Sequence, residues 1–284
     1  MMTVLESIKL STEFFEKKGI ESPRVNAEIL LAHVMKCKRL ELYLAFDKPL
    51  KEEELNQYRE YLKRRSRFEP LQYIVGEVEF YGIPFKVKPP VLIPRPETEI
   101  LVETIINSFD KDNTLKFLDI GTGTGNIVIA LSKSFPNALF TSIDINEQAL
   151  ELAQSNAGMN SVADRIKFIK QDINSLENNN LEHFDVVISN PPYVSLDEYE
   201  TLQPEITRFE DSKAVTDNGD GLRFYRTISE KSSYLLEKKG HLFFELGKGQ
   251  YANVKDIMCL NGFDQIQITK DYLNIERVIS GVKN

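Results

Sequence analysis

The stretch Asp119-Ile120-Gly121-Thr122-Gly123-Thr124-Gly125 is the most informative part of this sequence. It completes an apolar run over residues 115–120, and a second apolar run, residues 184–189, ends at Asn190-Pro191-Pro192-Tyr193. Short apolar runs that are bounded by turn residues indicate buried strands. The carboxyl ends of parallel strands meet at one edge of a sheet, where such proteins bind their ligands. We therefore expect the glycine-rich and Asn-Pro-Pro-Tyr stretches to lie at the same edge.

The segments around these two runs alternate between strand and helix patterns. Helices are expected over residues 127–133, 147–159 and 222–238, and further strands over residues 138–143, 166–169 and 241–246, before a last helix and strands. Strands that alternate with helices form a parallel sheet with helices on both faces. The pattern therefore predicts an α/β fold for residues 97–284.

Residues 1–68 have helical periodicity and little strand pattern, so we expect a small helical domain there. A first helix is expected near residues 4–15, a second should start at Ser22-Pro23, and a third should cover residues 53–65. No catalytic group of residues is evident in this part, which indicates a recognition or docking module.

Residues 69–96 form the predicted linker between the two domains. Residues 73–80 and 83–87 are rich in β-forming side chains and flank Tyr81-Gly82, which predicts a β-hairpin. Four prolines between residues 89 and 96 then exclude a helix. A new helix should begin near residues 97–99, whose acidic side chains suit a helix N-terminus.

The composition is that of a globular protein, with 42% hydrophobic and 27% charged residues. The formal net charge of -8 argues against nucleic acid as the main partner, because phosphate binding needs a basic surface. The basic run over residues 63–67 is either a local patch or a solvated helix end. Two scattered cysteines and three scattered histidines give no zinc or disulfide pattern. The N-terminus resembles neither a signal peptide nor a membrane span, so we expect a cytoplasmic protein without membrane contact.

The glycine spacing points to a nucleoside cofactor. Asn126 stands where the dinucleotide pattern needs glycine, and the P-loop Gly-Lys-Ser/Thr is absent, whereas G-x-G-x-G fits S-adenosylmethionine. Asp144 should accept from the ribose hydroxyls, Asp172 from the adenine amino group, and Asp119 should face the methionine ammonium. Taken singly, the glycines fit any tight turn, and Asp144 and Asp172 fit helix caps. The predicted cofactor-binding residues are Asp119, Gly121, Thr122, Gly123, Thr124, Gly125, Asp144, Ile145, Asp172, Ile173 and Asn190.

The Asn-Pro-Pro-Tyr stretch suits a site that holds a planar amide or amine nitrogen. The Asn190 side-chain oxygen and the Pro191 carbonyl can each accept one N–H bond, and Tyr193 can pack on the planar group. Pro191 and Pro192 stiffen the segment, so the acceptors are preorganised. The competing interpretation is a plain Asn-Pro turn, which the upstream glycine loop disfavours. We therefore expect Asn190, Pro191 and Tyr193 to be the catalytic residues.

The chain closely resembles the HemK/PrmC family of N5-glutamine methyltransferases over essentially its whole length. The resemblance lies in the glycine loop, the Asn-Pro-Pro-Tyr motif, and the stretches over residues 69–76, 91–99, 220–226 and 245–247. It implies a five-helix N-terminal domain, a β-hairpin linker and a Rossmann-like seven-stranded S-adenosylmethionine-dependent methyltransferase domain. It also implies methylation of the glutamine in the Gly-Gly-Gln motif of class I peptide chain release factors.

Family membership would place substrate contacts at Asn190, Pro191, Pro192 and Tyr193, and also at Arg95, Glu97 and Glu99. The expected partner is a release factor, the enzyme is expected to be monomeric, and no metal or direct nucleic-acid binding is expected. Two departures stand out. Asn26 occupies a position where the family usually has Asp, and residues 273–277 lack the glycine common in the last hairpin.

Two other functions compete with glutamine methylation. A nucleic-acid exocyclic-amino methyltransferase, acting on adenine N6 or guanine N2, shares the Asn-Pro-Pro-Tyr motif but should carry a basic target-recognition domain. A binding module with an inactive cofactor fold is the third alternative, and the intact Asn190 and glycine loop argue against it.

Overall fold

The computed structural model describes residues 2–176 and 183–284. The chain divides into two compact units. The first contains the residues up to Glu77 together with Gln203–Phe209, and the second contains Val78–Leu202 and Glu210–Asn284. A short segment from the middle of the α/β region thus belongs to the helical unit.

The first unit is built from helices around one hydrophobic core. Its elements are α1 (Val4–Lys17), α2 (Pro23–Met35), a 3-10 helix (Arg39–Leu44), α3 (Glu52–Arg65), α4 (Leu71–Val75) and α9 (Pro204–Phe209). The core is formed by apolar side chains of these helices, among them Ile8, Phe15, Leu30, Leu31, Leu42, Tyr58 and Ile74. The three helices predicted upstream of residue 68 are all present.

The hairpin prediction is wrong for residues 73–76, because Tyr73, Ile74 and Val75 are helical and the strand begins only at Glu77. Pro70 precedes this short helix, and Gly76 ends it with a left-handed φ of 86°. Ile74 is buried in the helical core with Val75 packed against it, so tertiary packing overrides the β propensity of these side chains. The hairpin itself consists of β1 (Glu77–Phe80) and β2 (Ile83–Lys86).

The second unit carries the α/β fold. Its further elements are α5 (Thr98–Ser108), β3 (Lys116–Ile120), α6 (Asn126–Ser134), β4 (Leu139–Asp144), α7 (Glu147–Met159), a 3-10 helix (Ala163–Arg165), β5 (Ile166–Lys170), a 3-10 helix (Ile173–Ser175), β6 (Phe184–Ser189), α8 (Leu196–Tyr199), α10 (Ser212–Val215), α11 (Arg223–Leu235), β7 (Leu236–Glu245), α12 (Tyr251–Leu260), β8 (Phe263–Lys270) and β9 (Glu276–Lys283).

The seven-stranded sheet has the order β5-β4-β3-β6-β7-β9-β8. The strands from β5 to β7 pair in parallel, as predicted, whereas β9 is antiparallel to both β7 and β8. In chain order, β4 pairs with one side of β3 and β5 pairs with β4. The chain then crosses over, and β6 pairs with the other side of β3. The carboxyl ends of β3 and β6 therefore flank the topological switch point, where open α/β sheets bind ligands.

Helices cover both faces of this sheet, and the side chains of each strand alternate between two cores. Phe117 and Val186 point to the face covered by α5 and α6, whereas Leu118 and Val187 point to the face covered by α11 and α12. Both faces are buried, which explains why the parallel strands are apolar throughout.

The predicted helix over residues 222–238 is too long. It ends at Leu235, and β7 begins at Leu236 rather than at residue 241. Leu236 is buried and pairs with Phe184, and a bulge follows before His241 pairs with Val186. The charged residues between them resemble a helix C-terminus in sequence, but they form the irregular start of the strand.

Among residues 2–176 and 183–284, no helix combines the length and the apolar character needed to cross a membrane.

Candidate functional site

The glycine-rich loop and the Asn-Pro-Pro-Tyr segment follow adjacent strands at the same level. Ile120 of β3 pairs with Ser189 of β6, so Gly121 and Asn190 are the next residues on the two strands. The Ser189 hydroxyl donates to the Ile120 carbonyl at 2.8 Å and ties the two strand ends together. The structure thus brings together the two stretches that the sequence analysis placed at one edge.

The loop between β3 and α6 depends on glycine conformations. Gly121, Gly123 and Gly125 all have left-handed φ values, of 81°, 54° and 79°. A Cβ on Gly121 or Gly123 would meet no atom within 4 Å, whereas one on Gly125 would lie 3.1 Å from Ala153 Cβ. The first two glycines therefore leave open space beside the loop, and the third allows α6 to pack against α7.

Asp119 is buried at the end of β3, at 1% exposure. Its Oδ2 accepts from the Ser142 hydroxyl at 2.8 Å, while Oδ1 and the Thr122 hydroxyl are buried without a hydrogen-bond partner among the described residues. Burial raises the pKa of Asp119 to about 6, against the lowering effect of the nearby hydroxyls of Ser142 and Thr122. A cationic group beside this carboxylate would offset the cost of its burial.

Asp144 ends β4, and its carboxylate contacts the glycine loop. One oxygen accepts from the backbone N–H of Gly123 at 3.0 Å, and the other accepts from the backbone N–H of Asn146 at 2.8 Å. Burial raises the pKa of Asp144, and these N–H donors lower it. Each carboxylate oxygen has a second lone pair, so Asp144 can accept ribose hydroxyls while it holds the loop. Ile145 beside it is 60% exposed.

Asp172 and Ile173 follow β5, the next strand outward. Asp172 caps the 3-10 helix Ile173–Ser175, because its Oδ1 accepts from the Asn174 backbone N–H at 2.9 Å. Ile173 is buried at 6% exposure in the core beneath α11 and α12. The capping interpretation of Asp172 therefore holds, and its Oδ2 is the atom left to accept from an adenine amino group.

Asn190 is held at its amide nitrogen. Nδ2 donates to the hydroxyl of Thr98, the first residue of α5, at 3.2 Å. Thr98 is 1% exposed, whereas Asn190 is half-buried. The next residue, Pro191, is buried, and it adds a backbone carbonyl but no N–H donor. The segment therefore presents two oxygen acceptors in sequence, as a site for a doubly protonated nitrogen requires.

Tyr193 turns its hydroxyl toward the sheet rather than toward solvent. The hydroxyl donates to Oε1 of Glu245, the last residue of β7, at 3.1 Å. Burial and the Glu245 carboxyl raise the pKa of Tyr193. Glu245 is 1% exposed, and burial raises its pKa to about 7. This carboxyl group is therefore largely protonated below neutral pH.

A second loop, residues 215–223, and the side chain of Gln250 contact the Asn-Pro-Pro-Tyr segment. The backbone N–H of Val194 donates to the carbonyl of Val215 at 3.1 Å, and the Gln250 side chain donates to the Tyr193 carbonyl at 2.9 Å. Buried Asp217 accepts from the N–H groups of Gly219, Gly221 and Arg223 and so shapes this loop. A Cβ on Gly221 would lie 2.4 Å from the Tyr193 carbonyl oxygen, so only glycine fits there.

The three residues predicted from the stretch before α5 have different environments. Arg95 forms an ion pair with buried Glu210 at 2.5 Å, and Glu99 accepts from the Tyr81 backbone N–H at 2.7 Å. Glu97 is 45% exposed and lies 3.9 Å from Arg277. Two of the three are thus engaged inside the α/β unit, and Glu97 is the most accessible of them.

Four further polar residues of this site are not predicted as functional by the sequence, namely Thr98, Asp217, Glu245 and Gln250. Thr98 and Glu245 lie in stretches that carried the family resemblance, which was the only signal for them. Among the described residues, no group of three or more His, Cys, Asp or Glu side chains is arranged to hold a metal ion.

Two of the four basic residues in the run over residues 63–67 are paired inside the helical unit. Arg64 pairs with Glu69 at 2.5 Å, and Arg65 pairs with Glu205 at 2.8 Å and donates to the Asn26 side chain at 2.7 Å. Arg65 is 6% exposed, so its guanidinium is not available to phosphates, whereas Lys63 and Arg67 are exposed.

Comparison with known proteins identifies both parts of the chain. The PrmC N-terminal domain family matches residues 6–76, and a methyltransferase domain family matches residues 111–269. A methyltransferase from Pyrococcus furiosus has a similar fold, with a TM-score of 0.55 and 17% identity over 78% of this chain and 98% of its own.

Two relatives align with nearly the whole sequence. The release factor glutamine methyltransferase of Fusobacterium nucleatum is 40% identical over 280 residues, which cover 98% of this chain and 78% of the relative. The enzyme of the same name from Chlorobaculum tepidum is 37% identical over 285 residues, which cover 98% of this chain and 96% of the relative. At this identity and coverage, the chain belongs to the family of release factor glutamine methyltransferases.

Proposed function

We propose that this protein transfers a methyl group from S-adenosylmethionine to the side-chain amide nitrogen of a glutamine, the one in the Gly-Gly-Gln motif of class I release factors. The observation that carries the proposal is the position of Asn190-Pro191 directly beside the glycine loop, on adjacent parallel strands. The relatives that align over nearly the whole chain are named for this activity.

An amide nitrogen is a weak nucleophile, because its lone pair is delocalised into the carbonyl group. In the proposed complex, Asn190 Oδ1 and the Pro191 carbonyl accept the two amide N–H bonds and aim the nitrogen at the methyl group. Both acceptors are held in place before substrate binds, because Asn190 is fixed by Thr98 and Pro191 is buried. Positioning is the main catalytic contribution, and no strong base has to act before the nitrogen attacks.

The residues at the carboxyl ends of β3, β4 and β5, beside the glycine loop, fit the cofactor. When bound, S-adenosylmethionine supplies a methyl group on a positively charged sulfur. Asp119, whose buried Oδ1 has no partner among the described residues, suits the ammonium group, and Asp144 suits the ribose hydroxyls. Exposed Ile145 and the free oxygen of Asp172 suit the adenine ring and its amino group. The open space beside Gly121 and Gly123 admits the methionine part.

Nucleic-acid amino methylation is the less favoured alternative. The Asn-Pro-Pro-Tyr motif suits an exocyclic amino group as well as an amide. However, two arginines of the basic run are paired inside the helical unit, and the net charge is -8. The relatives that cover the chain are named for release factors rather than for DNA or RNA.

A competition between substrates tests the proposal. The protein is incubated with methyl-labelled S-adenosylmethionine together with a purified class I release factor, duplex DNA and total RNA in one reaction, and the label is measured in each fraction. We expect the label in the release factor alone. Label in DNA or RNA, with none in the release factor, would move the enzyme to the alternative class while keeping its fold and cofactor.

A further inference from the structure

The side chain of Gln250, the residue before α12, lies between three backbone segments of the site. Its Oε1 accepts from the backbone N–H of Gly247 at 3.1 Å and from the Tyr225 hydroxyl at 3.2 Å. Its Nε2 donates to the backbone carbonyls of Tyr193 at 2.9 Å and Gly221 at 3.4 Å. One amide group therefore joins the Asn-Pro-Pro-Tyr segment to the second loop and to the turn after β7.

The two ends of the Gln250 amide are assigned by backbone groups whose hydrogen-bonding roles cannot be exchanged. A backbone N–H only donates, so the end that faces Gly247 is the oxygen. A backbone carbonyl only accepts, so the end that faces Tyr193 and Gly221 is the NH2 group. A flipped amide would face both carbonyl oxygens with its own oxygen and would lose these hydrogen bonds. The Gln250 side chain therefore has one favourable orientation.

Two glycines allow the Gln250 amide to reach these partners. A Cβ on Gly247 would lie 2.6 Å from Gln250 Oε1, and a Cβ on Gly221 would lie 2.9 Å from Nε2. Both distances are shorter than a nonbonded contact, so a larger residue at either position would push the amide away. The Gly247 Cβ would also lie 3.0 Å from the ring of Tyr193. The amide, the two glycines and Tyr193 thus form one closely packed group.

The hydrogen bond to Tyr193 bears on the proposed acceptors because the backbone between them is stiff. Tyr193 directly follows Pro191 and Pro192, whose rings fix their φ angles. A shift of the Tyr193 carbonyl therefore meets few free torsion angles before it reaches the carbonyl of Pro191 and the side chain of Asn190. Such a shift is costly, because a misplacement of about 1 Å can lower a rate about 100-fold.

We propose that Gln250 is a positioning residue for methyl transfer. Its Nε2 holds the Tyr193 carbonyl and, through the two prolines, sets the position of the Asn190 and Pro191 acceptors. The inference rests on the proposed function, since it names a residue that places the acceptors for the methyl-accepting nitrogen. Gln250 does not contact the substrate in this scheme.

Two substitutions of Gln250 and one control test the proposal. Gln250→Glu keeps the shape and the Oε1 acceptor but replaces the Nε2 donor with an oxygen that faces two carbonyls. Gln250→Met has a similar length and carries neither a donor nor a charge. Asn253→Asp is the matched control, because it makes the same amide-to-acid change at an exposed position of α12.

The measurements are kcat and KM for an intact release factor, the Kd for S-adenosylmethionine and the thermal midpoint. They are made at about pH 8, where an introduced glutamate is ionised. The value of kcat is expressed per cofactor-binding protein, so that unfolded protein does not lower it. This separates an effect on the acceptors from an effect on the folded fraction.

We expect Gln250→Glu and Gln250→Met to lower kcat by about 10- to 100-fold, because the acceptors are misplaced. KM and the cofactor Kd should change only a few-fold, and Asn253→Asp should stay near wild type. The glycine loop and Asp144 lie on other strands, which is why cofactor binding should persist.

Wild-type kcat in either folded Gln250 variant would overturn the proposal, as would an equal loss of kcat in Asn253→Asp. Failure of both Gln250 variants to fold or to bind the cofactor would also overturn it, because Gln250 would then support the whole fold rather than the acceptors. Absence of release factor methylation by the wild type is a separate result, which would overturn the proposed function and this inference with it.

Discussion

Asp144 ends β4 with both carboxylate oxygens already bound by the backbone, one by Gly123 N–H and the other by Asn146 N–H. The same side chain is the one we assign to the ribose hydroxyls. In the proposed complex, a single acid therefore both shapes the glycine loop and binds the cofactor.

Replacement of Asp144 by Ala should weaken S-adenosylmethionine binding by about 1–3 kcal/mol, because ribose hydrogen bonds are lost and the Gly123 N–H loses its acceptor. Titration calorimetry measures this. Glu147→Ala is the matched control, an exposed acid three residues on that pairs with Lys170, and it should bind the cofactor like wild type. Equal affinity in the Asp144→Ala and wild-type proteins would reject the ribose assignment.

Asn26 illustrates how a departure from the family pattern is accommodated. Its Oδ1 accepts from Arg65 Nε at 2.7 Å, and its Nδ2 donates to the carbonyls of Glu21 and Ser22. The charge of Arg65 is balanced by Glu205 of α9, at 2.8 Å. An amide at position 26 therefore leaves the buried charge of Arg65 paired.

At the scale of elements, the site depends on how closely two loops approach. Gly221 has a φ of 75°, and a Cβ there would lie 2.4 Å from the Tyr193 carbonyl oxygen and 2.9 Å from Gln250 Nε2. The Asn-Pro-Pro-Tyr segment cannot keep its position if this loop carries a larger residue. The glycine in the Asp220-Gly221-Leu222 stretch is thus explained by a backbone contact.

Gly221→Ala should lower kcat at least about tenfold, because the Tyr193 carbonyl and the acceptors before it must shift. It should also lower the free energy of unfolding by about 1–3 kcal/mol, from the left-handed φ and the overlap. Gly219→Ala is the control in the same loop, since its Cβ would meet nothing nearer than Asp217 Oδ1 at 3.5 Å. Release factor methylation rates and urea unfolding measure both effects. Similar losses in the two variants would contradict the proposed close approach.

Most elements of the α/β unit could be predicted from sequence because each is encoded locally. The helix Glu147–Met159 and the strand Phe184–Ser189 have the predicted bounds. Residues 73–75 could not be assigned correctly, because the β propensity of Ile74 and Val75 is overridden by their packing into the helical core. The last hairpin turns without glycine because Asn274 adopts a φ of 63°, which asparagine tolerates better than most residues.

The two strand-end motifs of the site could be predicted for the same reason, since each follows an apolar run. The side chains that support these motifs from elsewhere in the chain could not be predicted. Thr98 lies 92 residues before Asn190, and Glu245 lies 52 residues after Tyr193. No local pattern links such positions, and only the packing of α5 on β7 and the pairing of β7 with β6 bring them together.

At the scale of the whole molecule, two buried acids make stability depend on pH. Burial raises the pKa of Glu245 to about 7 and that of Asp119 to about 6. Between the unfolded and folded pKa values, the folded state keeps a proton that the unfolded state has lost. The contribution of these two protonated acids to the free energy of unfolding is therefore fully present below about pH 4. It falls as the pH rises through 6 and 7.

Glu245→Gln should remove the larger part of this dependence, because glutamine keeps the shape and does not ionise. We expect the variant and the wild type to have similar free energies of unfolding at pH 5. At pH 8 the variant should be more stable, by up to about 3 kcal/mol, if the wild-type carboxyl must ionise while buried. Urea unfolding at both pH values measures this, with exposed Glu230→Gln as the control. A difference that does not grow with pH would show that the Glu245 pKa is not raised.

The most direct test of the central claim, that Asn190 holds a glutamine amide for methylation, is peptide mass mapping of a treated release factor. Wild-type protein and Asn190→Ala are each incubated with S-adenosylmethionine and the release factor, and cofactor binding is measured in parallel. The account predicts one added methyl group on the Gly-Gly-Gln peptide with the wild type and none with Asn190→Ala, whose cofactor affinity stays within a few-fold. Full methylation by Asn190→Ala, or a methyl group at another residue, would contradict it.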